Sequence, residues 1–258
     1  MLFVICNLNL FYLVLIGLAG GSLGGLLGVG GGLITVPALH LLRGEPMHVA
    51  VGASLFSNAV VGAASAWRYS LQGRVSKAWV MRIVAGTLVG GLGGIFVASS
   101  LSGEGLRKVF GAFAALSALD LFIQRKGSQE DGLEAPPPPW SAAAVVGLPT
   151  GFAAGILGIG GGIVAVPLQR RIYRVPIKVA IGNSAASIPF TCVLAGSFAL
   201  RAFEGQSPGS VLAISGLMAL GGLVGALASA TLSARVSAKA LRVVFSVFLA
   251  LTAFRMLK

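Results

Sequence analysis

The sequence predicts an all-α polytopic membrane protein of two homologous halves arranged as inverted repeats, each half a glycine-tipped broken-helix hairpin followed by three transmembrane helices. Three observations lead there. Of 258 residues, 56% are hydrophobic and 10% charged, and the mean hydropathy is +0.92; a soluble domain carries about 25% charge. The chain repeats itself. Its Lys and Arg residues are divided unevenly among the connecting segments.

A shift of 130 positions lays GLLGVGGGLITVP, Gly25 to Pro37, on GILGIGGGIVAVP, Gly155 to Pro167. The match continues from Pro46, Val49, Ala50, Gly52, Ser54 and Ser57 onto Pro176, Val179, Ala180, Gly182, Ser184 and Ser187, with 17 identities in 41 ungapped positions. Chance in so biased a composition gives roughly four. The halves are 1–123 and 140–258. Between them, 124–139 is charged at first and ends in four prolines, the composition of a linker.

Each half opens with an apolar arm, within 2–27 and 140–157, which runs into the glycine cluster. A return arm follows, 33–45 and 163–175, closed by Pro46 or Pro176. At 1.5 Å per residue such an arm covers about 20 Å, less than the roughly 30 Å hydrocarbon core. The remaining apolar runs are long enough to span it: Val49–Trp67, Val80–Val97 and Leu106–Ile123, then Ala180–Leu200, Val211–Leu232 and Leu241–Leu257. Four-residue glycine spacings at Gly86, Gly90 and Gly94, and at Gly221 and Gly225, mark close helix packing. The N-terminus has no charge before Arg43 and reads as a retained membrane segment rather than a cleaved signal.

Whether arm, glycines and return arm form one broken crossing or a hairpin decides the topology. As hairpins, they leave one side with the bases of Arg68 to Arg82, Arg125 and Lys126, Arg170 to Lys178 and Arg235 to Arg242, 13 of 19; the other side holds Arg43, Arg107, Lys108, Arg201, Arg255 and Lys258. As single crossings they give 9 against 10. Cytoplasmic loops are enriched in Lys and Arg, so the hairpin topology is expected, with the proline linker cytoplasmic and both termini outside.

A glycine cluster opening a short helix leaves backbone N–H groups without intrahelical partners, in a medium where each costs several kcal/mol. Helix N-termini bind anions. Gly30, Gly31 and Gly32 form one such terminus, and Gly160, Gly161 and Gly162 the other; inversion aims them at each other. The next span of each half is polar on one face, with Ser54, Ser57 and Asn58 in the first and Asn183, Ser184 and Ser187 in the second. These groups are candidates to complete an oxyanion site, or to bond neighbouring helices and their own i−4 carbonyls. Asp120, an acid inside a span, is a candidate for ion coupling or for pairing with Arg125 or another interfacial base. Arg82 and Arg201 are expected to snorkel, and Arg170 and Lys178 stand where the first half has His40 and His48.

Other classes are disfavoured. No basic stretch is interleaved with aromatics, so no nucleic-acid partner is expected. Cys6 and Cys192 have no partner at metal spacing. The glycine clusters lack the third glycine of a dinucleotide fingerprint, no Walker lysine is present, and His40 and His48 offer no nucleophile and base pair. The expectation is a protein that is not an enzyme and uses no cofactor and no metal.

The doubled motifs GLLGVGGGLITVPAL and GILGIGGGIVAVPL, each followed by a proline, V-A-x-G and serines, resemble the TauE/SafE sulfite exporter family of membrane permeases over nearly the whole chain. That resemblance implies a multi-pass transporter of the prokaryotic inner membrane for sulfur-containing anions such as sulfite or the organosulfonate sulfoacetate. The motif glycines and following polar residues are carried over as the substrate site. The expected partners are a small sulfur-containing anion and the lipid bilayer; oligomeric state is not legible. An anion channel and a non-transporting anchoring subunit are the alternative readings. Asn183 stands where the first half has Ala53, and Ile188 where it has Asn58, so the half-sites are expected to be chemically unequal.

Overall fold

The structure, a computed structural model, describes residues 2–123, 134–203, 207–232 and 238–258. The first half folds as α1 (Leu2–Leu27), α2 (Gly32–Arg43), α3 (Met47–Leu71), α4 (Lys77–Ser100) and α5 (Gly103–Ile123). In the second, a π-helical turn at Ala143–Gly147 leads into α6 (Leu148–Leu157), followed by α7 (Gly162–Tyr173), α8 (Ile177–Ala202), α9 (Pro208–Leu232) and α10 (Ala238–Leu257). No strand occurs among the described residues. The chain is therefore all-α, with the helices within a few residues of the predicted runs.

Prolines and glycines set the local boundaries. Pro46 and Pro176 cap α3 and α8 with φ of −55° and −54°, where the fixed ring torsion suits a helix start and the missing N–H costs nothing. Gly28 and Gly158 end the opening arms at φ of +63° and +68°, a conformation that side chains with a Cβ resist.

The glycine segments are hairpins. Ser141 Oγ and Tyr173 OH lie 3.1 Å apart, so α7 ends beside the residue from which the arm set out. Asp120, in the last turn of α5, pairs with Arg171 on α7 at 2.5 Å. A single crossing would put these residues at opposite ends of the bundle. The proline run also folds back, with Trp79 Nε1 donating to the Pro136 carbonyl at 2.7 Å; the charged part of the linker, 124–133, lies outside the described residues.

The halves exchange their opening arms. α1 packs on α9, and α6 packs on α4. Glycine stripes allow this approach: a Cβ at Gly17, Gly21 or Gly25 would strike the backbone of Met218, Gly222 or Ala226, and one at Gly86, Gly90 or Gly94 would strike the π-turn or α6 backbone. Gly221 and Gly225 likewise abut α1. The predicted glycine spacings are thus packing seams.

At the centre, α3 lies against α8. They run antiparallel, since Gly62 abuts Ile188 and Pro189 while Gly196 abuts Phe56. The most apolar stretches of α3 and α8 are 78% and 67% buried, against 39 to 44% for α1, α4 and α9. Those five helices are long and apolar enough to cross a membrane. α5, with Glu104, Arg107, Lys108 and Asp120, is not among them; it packs on α10, and Gly111 meets Met256 and Leu257.

Polarity is inside out. Phe11, Met81, Val89, Phe96, Leu220, Val224 and Leu251 are exposed, while Ser54, Asn58, Asn183, Ser184 and Thr191 are buried. A soluble protein hides the first set and solvates the second. The chain is a multi-pass membrane protein.

Candidate functional site formed by the hairpin tips

The hairpin tips meet between α3 and α8. Gly28 and Gly30 turn the first at φ of +63° and +78°; Gly158, Gly160 and Gly161 turn the second at +68°, +76° and +84°. A Cβ at Gly32, the first residue of α2, would lie 2.2 Å from the Gly158 carbonyl oxygen, and one at Gly162, the first residue of α7, would lie 2.2 Å from that of Gly28. Each return helix thus presents its N-terminus to a carbonyl oxygen of the opposite tip. The positive end of a helix dipole meets the negative end of a peptide dipole.

Side chains from the central helices hold this arrangement across the halves. Ser54 Oγ on α3 donates to Gly158 O at 2.9 Å, and Ser184 Oγ on α8 donates to Gly28 O at 2.7 Å. Asn58 Nδ2 also donates to Gly158 O at 2.8 Å and to Ser54 Oγ at 3.2 Å, while its Oδ1 accepts from the Gly31 N–H at 2.8 Å. Thr35 Oγ1 lies 2.7 Å from Ser54 Oγ; because Ser54 gives its proton to Gly158, Thr35 is the donor there. Two glycine tips, two serines and an asparagine therefore form a buried polar cluster at the junction of the repeats.

The sequence profile of the sulfite exporter TauE/SafE family matches residues 13–256. The chain belongs to the TauE/SafE sulfite exporter family. The membrane transporter class that the family name carries is shared by the relatives. The chain is 26% identical over 95% of its length to the probable membrane transporter protein MamO of Paramagnetospirillum magneticum, of which it spans 44%. It is 31% identical to a probable membrane transporter protein of Methanocaldococcus jannaschii, over 70% of this chain and 68% of that one. It is 30% identical to the probable membrane transporter protein YunE of Bacillus subtilis, over 67% and 71%. The chain thus spans less than half the length of the MamO protein. No solved structure matches it.

Within this TauE/SafE member the two half-sites differ, and the difference begins at position 188. Ile188, in the place of Asn58, is buried and carries no acceptor for the second tip. Gly31, bonded to Asn58, sits at φ −84°, whereas Gly161 sits at φ +84°.

Not every predicted residue reaches the tips. Asn183 Oδ1 accepts from the Ser76 N–H at 2.8 Å, and its Nδ2 donates to Gln169 Oε1 at 3.1 Å. It ties α8 to the α3–α4 loop, whose Arg74 carbonyl lies against Gly182. Ser187 Oγ donates to its own helix at Ser184 O, 2.8 Å. Ser57 is buried on the α9 side of α3, near Gly222. Asp120 stays at the end of α5 with Arg171, and its predicted partner Arg125 lies outside the described residues. Arg82 stacks on the Trp140 ring, 3.2 Å from its centroid.

Sequence reasoning missed Thr35, Gln169, Thr150 and Tyr69. Gln169 is fully buried on α7 and also donates to the Ala165 carbonyl at 3.2 Å. Tyr69 OH reaches the carbonyl oxygens of Gly25 and Leu26 in the last turn of α1. The signal for all four was their polarity inside apolar segments; nothing in their spacing names a partner. Two cavities of about 420 Å³ are lined by residues other than the tip glycines, one by His48, Ser99, Ala202 and Phe203 and one by Pro189, Phe190, Val193, Leu194 and Ser197.

Proposed function

We propose that this family member is a secondary transporter for a sulfur-containing anion such as sulfite or sulfoacetate, working in a prokaryotic inner membrane. The anion binds between the hairpin tips when they part. The observation that carries this reading is the carbonyl oxygen of each tip lying against the first residue of the opposite return helix, Gly158 O at Gly32 and Gly28 O at Gly162. A sulfite or sulfonate group brings oxygens of the same kind with a full negative charge, which helix N-termini favour.

The antiparallel α3 and α8 support two halves inverted across the bilayer, because a two-fold axis in the membrane plane reverses the helices it relates. Tips in contact close the path at its centre, which favours alternating exposure by movement of one bundle against the other over an open pore. With the cytoplasm negative, export of one negative charge gains about 2.3 kcal/mol per 100 mV, enough for roughly 50-fold accumulation outside without a coupling ion.

The test is thermal stabilisation of the detergent-purified chain by sulfite, thiosulfate, sulfoacetate, sulfate, taurine and acetate, followed by flux of any stabilising anion into proteoliposomes. A ligand at 100 times its Kd adds about 2.7 kcal/mol. Stabilisation and saturable flux with a sulfur oxyanion are expected. Stabilisation by none of the panel, or equally by acetate, would overturn the reading.

A further inference from the structure

The tips are alike in sequence but differ in what caps them, and among the described residues one buried hydroxyl has no partner. Thr150, on α6, is 2% exposed, and its Oγ1 is buried without a hydrogen-bond partner. A buried helical hydroxyl ordinarily turns back to its own helix: Ser65 bonds Val61 O at 2.8 Å, Ser187 bonds Ser184 O at 2.8 Å, and Thr191 bonds Ser187 O at 3.3 Å. Thr150 does not. Its side chain lies against the second tip, with Cγ2 2.7 Å from where a Cβ of Gly161 would stand.

Beside the first tip, no such spare hydroxyl occurs among the described residues. Gly20 occupies the position of Thr150, and the hydroxyl beside that tip belongs instead to Thr35, paired with Ser54 at 2.7 Å. The Gly31 N–H is taken by Asn58 Oδ1 at 2.8 Å, so an amide oxygen of the protein already sits at the first tip. At the second, position 188 is Ile, buried and without an acceptor to offer.

We infer that the anion is held asymmetrically, on the N-terminus of the 12-residue α7, with Thr150 Oγ1 as a donor to it, while Asn58 keeps the N-terminus of α2 closed. This rests on the transporter reading above and names the working half of its site. The residue that carries the orphan hydroxyl lies against the tip without an acceptor, and one oxyanion satisfies both once Thr150 turns about χ1 to present Oγ1 where its methyl now meets Gly161; a Thr hydroxyl and backbone amides are all donors. Substrate is bound once per chain, not once per repeat.

The test uses the full chain in detergent, titrated with sulfite, thiosulfate and sulfoacetate while thermal stability is followed, for wild type, Thr150→Val, Thr150→Ser and Ile188→Asn. Thr150→Val keeps the shape and removes the hydroxyl. Its ligand-free melting temperature should equal or exceed that of wild type, because a buried hydroxyl that bonds nothing in the closed form costs desolvation and returns no bond, and its Kd should rise tenfold or more, the scale of one hydrogen bond to a charged group. Thr150→Ser should restore binding. Ile188→Asn supplies the second tip with the acceptor that Asn58 gives the first, and should weaken binding comparably. If wild type binds and Thr150→Val binds equally well, the asymmetric site is overturned and the transporter reading stands. A lowered ligand-free melting temperature of Thr150→Val, with Kd unchanged, assigns Thr150 to structure and also overturns it. Absence of binding by wild type to any of the three anions overturns the transporter reading and this inference with it.

Discussion

Ser184 donates from Oγ to the carbonyl oxygen of Gly28 at 2.7 Å across 156 residues of sequence. Ser54 makes the equivalent bond to Gly158 at 2.9 Å in the opposite direction. Each repeat thereby holds the tip of the other.

Loss of these bonds has graded consequences. Ser184→Ala removes one donor from one carbonyl and should cost about 1 kcal/mol, the net worth of a typical hydrogen bond. Asn58→Ala strips three bonds and leaves the Gly31 N–H without its acceptor, with an expected cost of about 2 to 3 kcal/mol. Thermal denaturation of the purified variants checks the order; equal loss in both would refute the cross-half network.

Glycine substitutions should separate packing from propensity. Gly162→Ala drives a Cβ to within 2.2 Å of a backbone oxygen, and neither tip can yield without parting. About 3 kcal/mol of destabilisation is expected, together with loss of the closed form. Gly216→Ala on α9 meets nothing within 4 Å and should stabilise by up to about 1 kcal/mol through helix propensity. Both are read by melting temperature.

Topology is testable by cysteine labelling in intact cells. With Cys6 replaced by Ser, and Cys192 fully buried, a cysteine at Arg174 should be protected from an impermeant reagent and one at Ser207 should react. The inverted pattern, or equal labelling, contradicts the hairpin charge assignment.

Asp120 and Arg171 form an ion pair with side chains 37% and 60% exposed. Exposed pairs contribute roughly 0 to 1 kcal/mol, so Asp120→Asn and Arg171→Gln should each destabilise by less than about 1 kcal/mol. Asp120 is held in this pair at the end of α5, so the expectation is that it carries no coupled proton. The pH profile of flux should be unchanged in Asp120→Asn, and a displaced profile would restore Asp120 as a coupling residue.

Much of the fold was legible in the chain. The 130-residue repeat, the apolar run lengths and the placement of Pro46 and Pro176 located the helices, because hydrophobic length and proline geometry are local properties. The charge asymmetry favoured hairpins, and the Ser141–Tyr173 and Asp120–Arg171 contacts bear that out. The polar residues were legible as a set and not as individuals. Helical spacing puts Asn58, Asn183 and Ser184 near one face of their helices, yet Asn58 turns to Gly31, Ser184 to Gly28 and Asn183 to Ser76.

What the sequence determined by itself is the membrane class, the duplication, the two glycine clusters and the inequality at positions 58 and 188. Those follow from composition, periodicity and residue identity, which need no knowledge of neighbours in space. Only the tertiary structure decided that the halves exchange their opening arms, that each tip's carbonyl lies against the other's return helix, and that Thr150 alone among the hydroxyls near the tips is left without a partner. The reason is physical: a buried hydrogen bond is satisfied by whatever group packing brings within about 3 Å, and the bonds from Ser54 and Asn58 to Gly158 and from Ser184 to Gly28 join residues 100 or more positions apart.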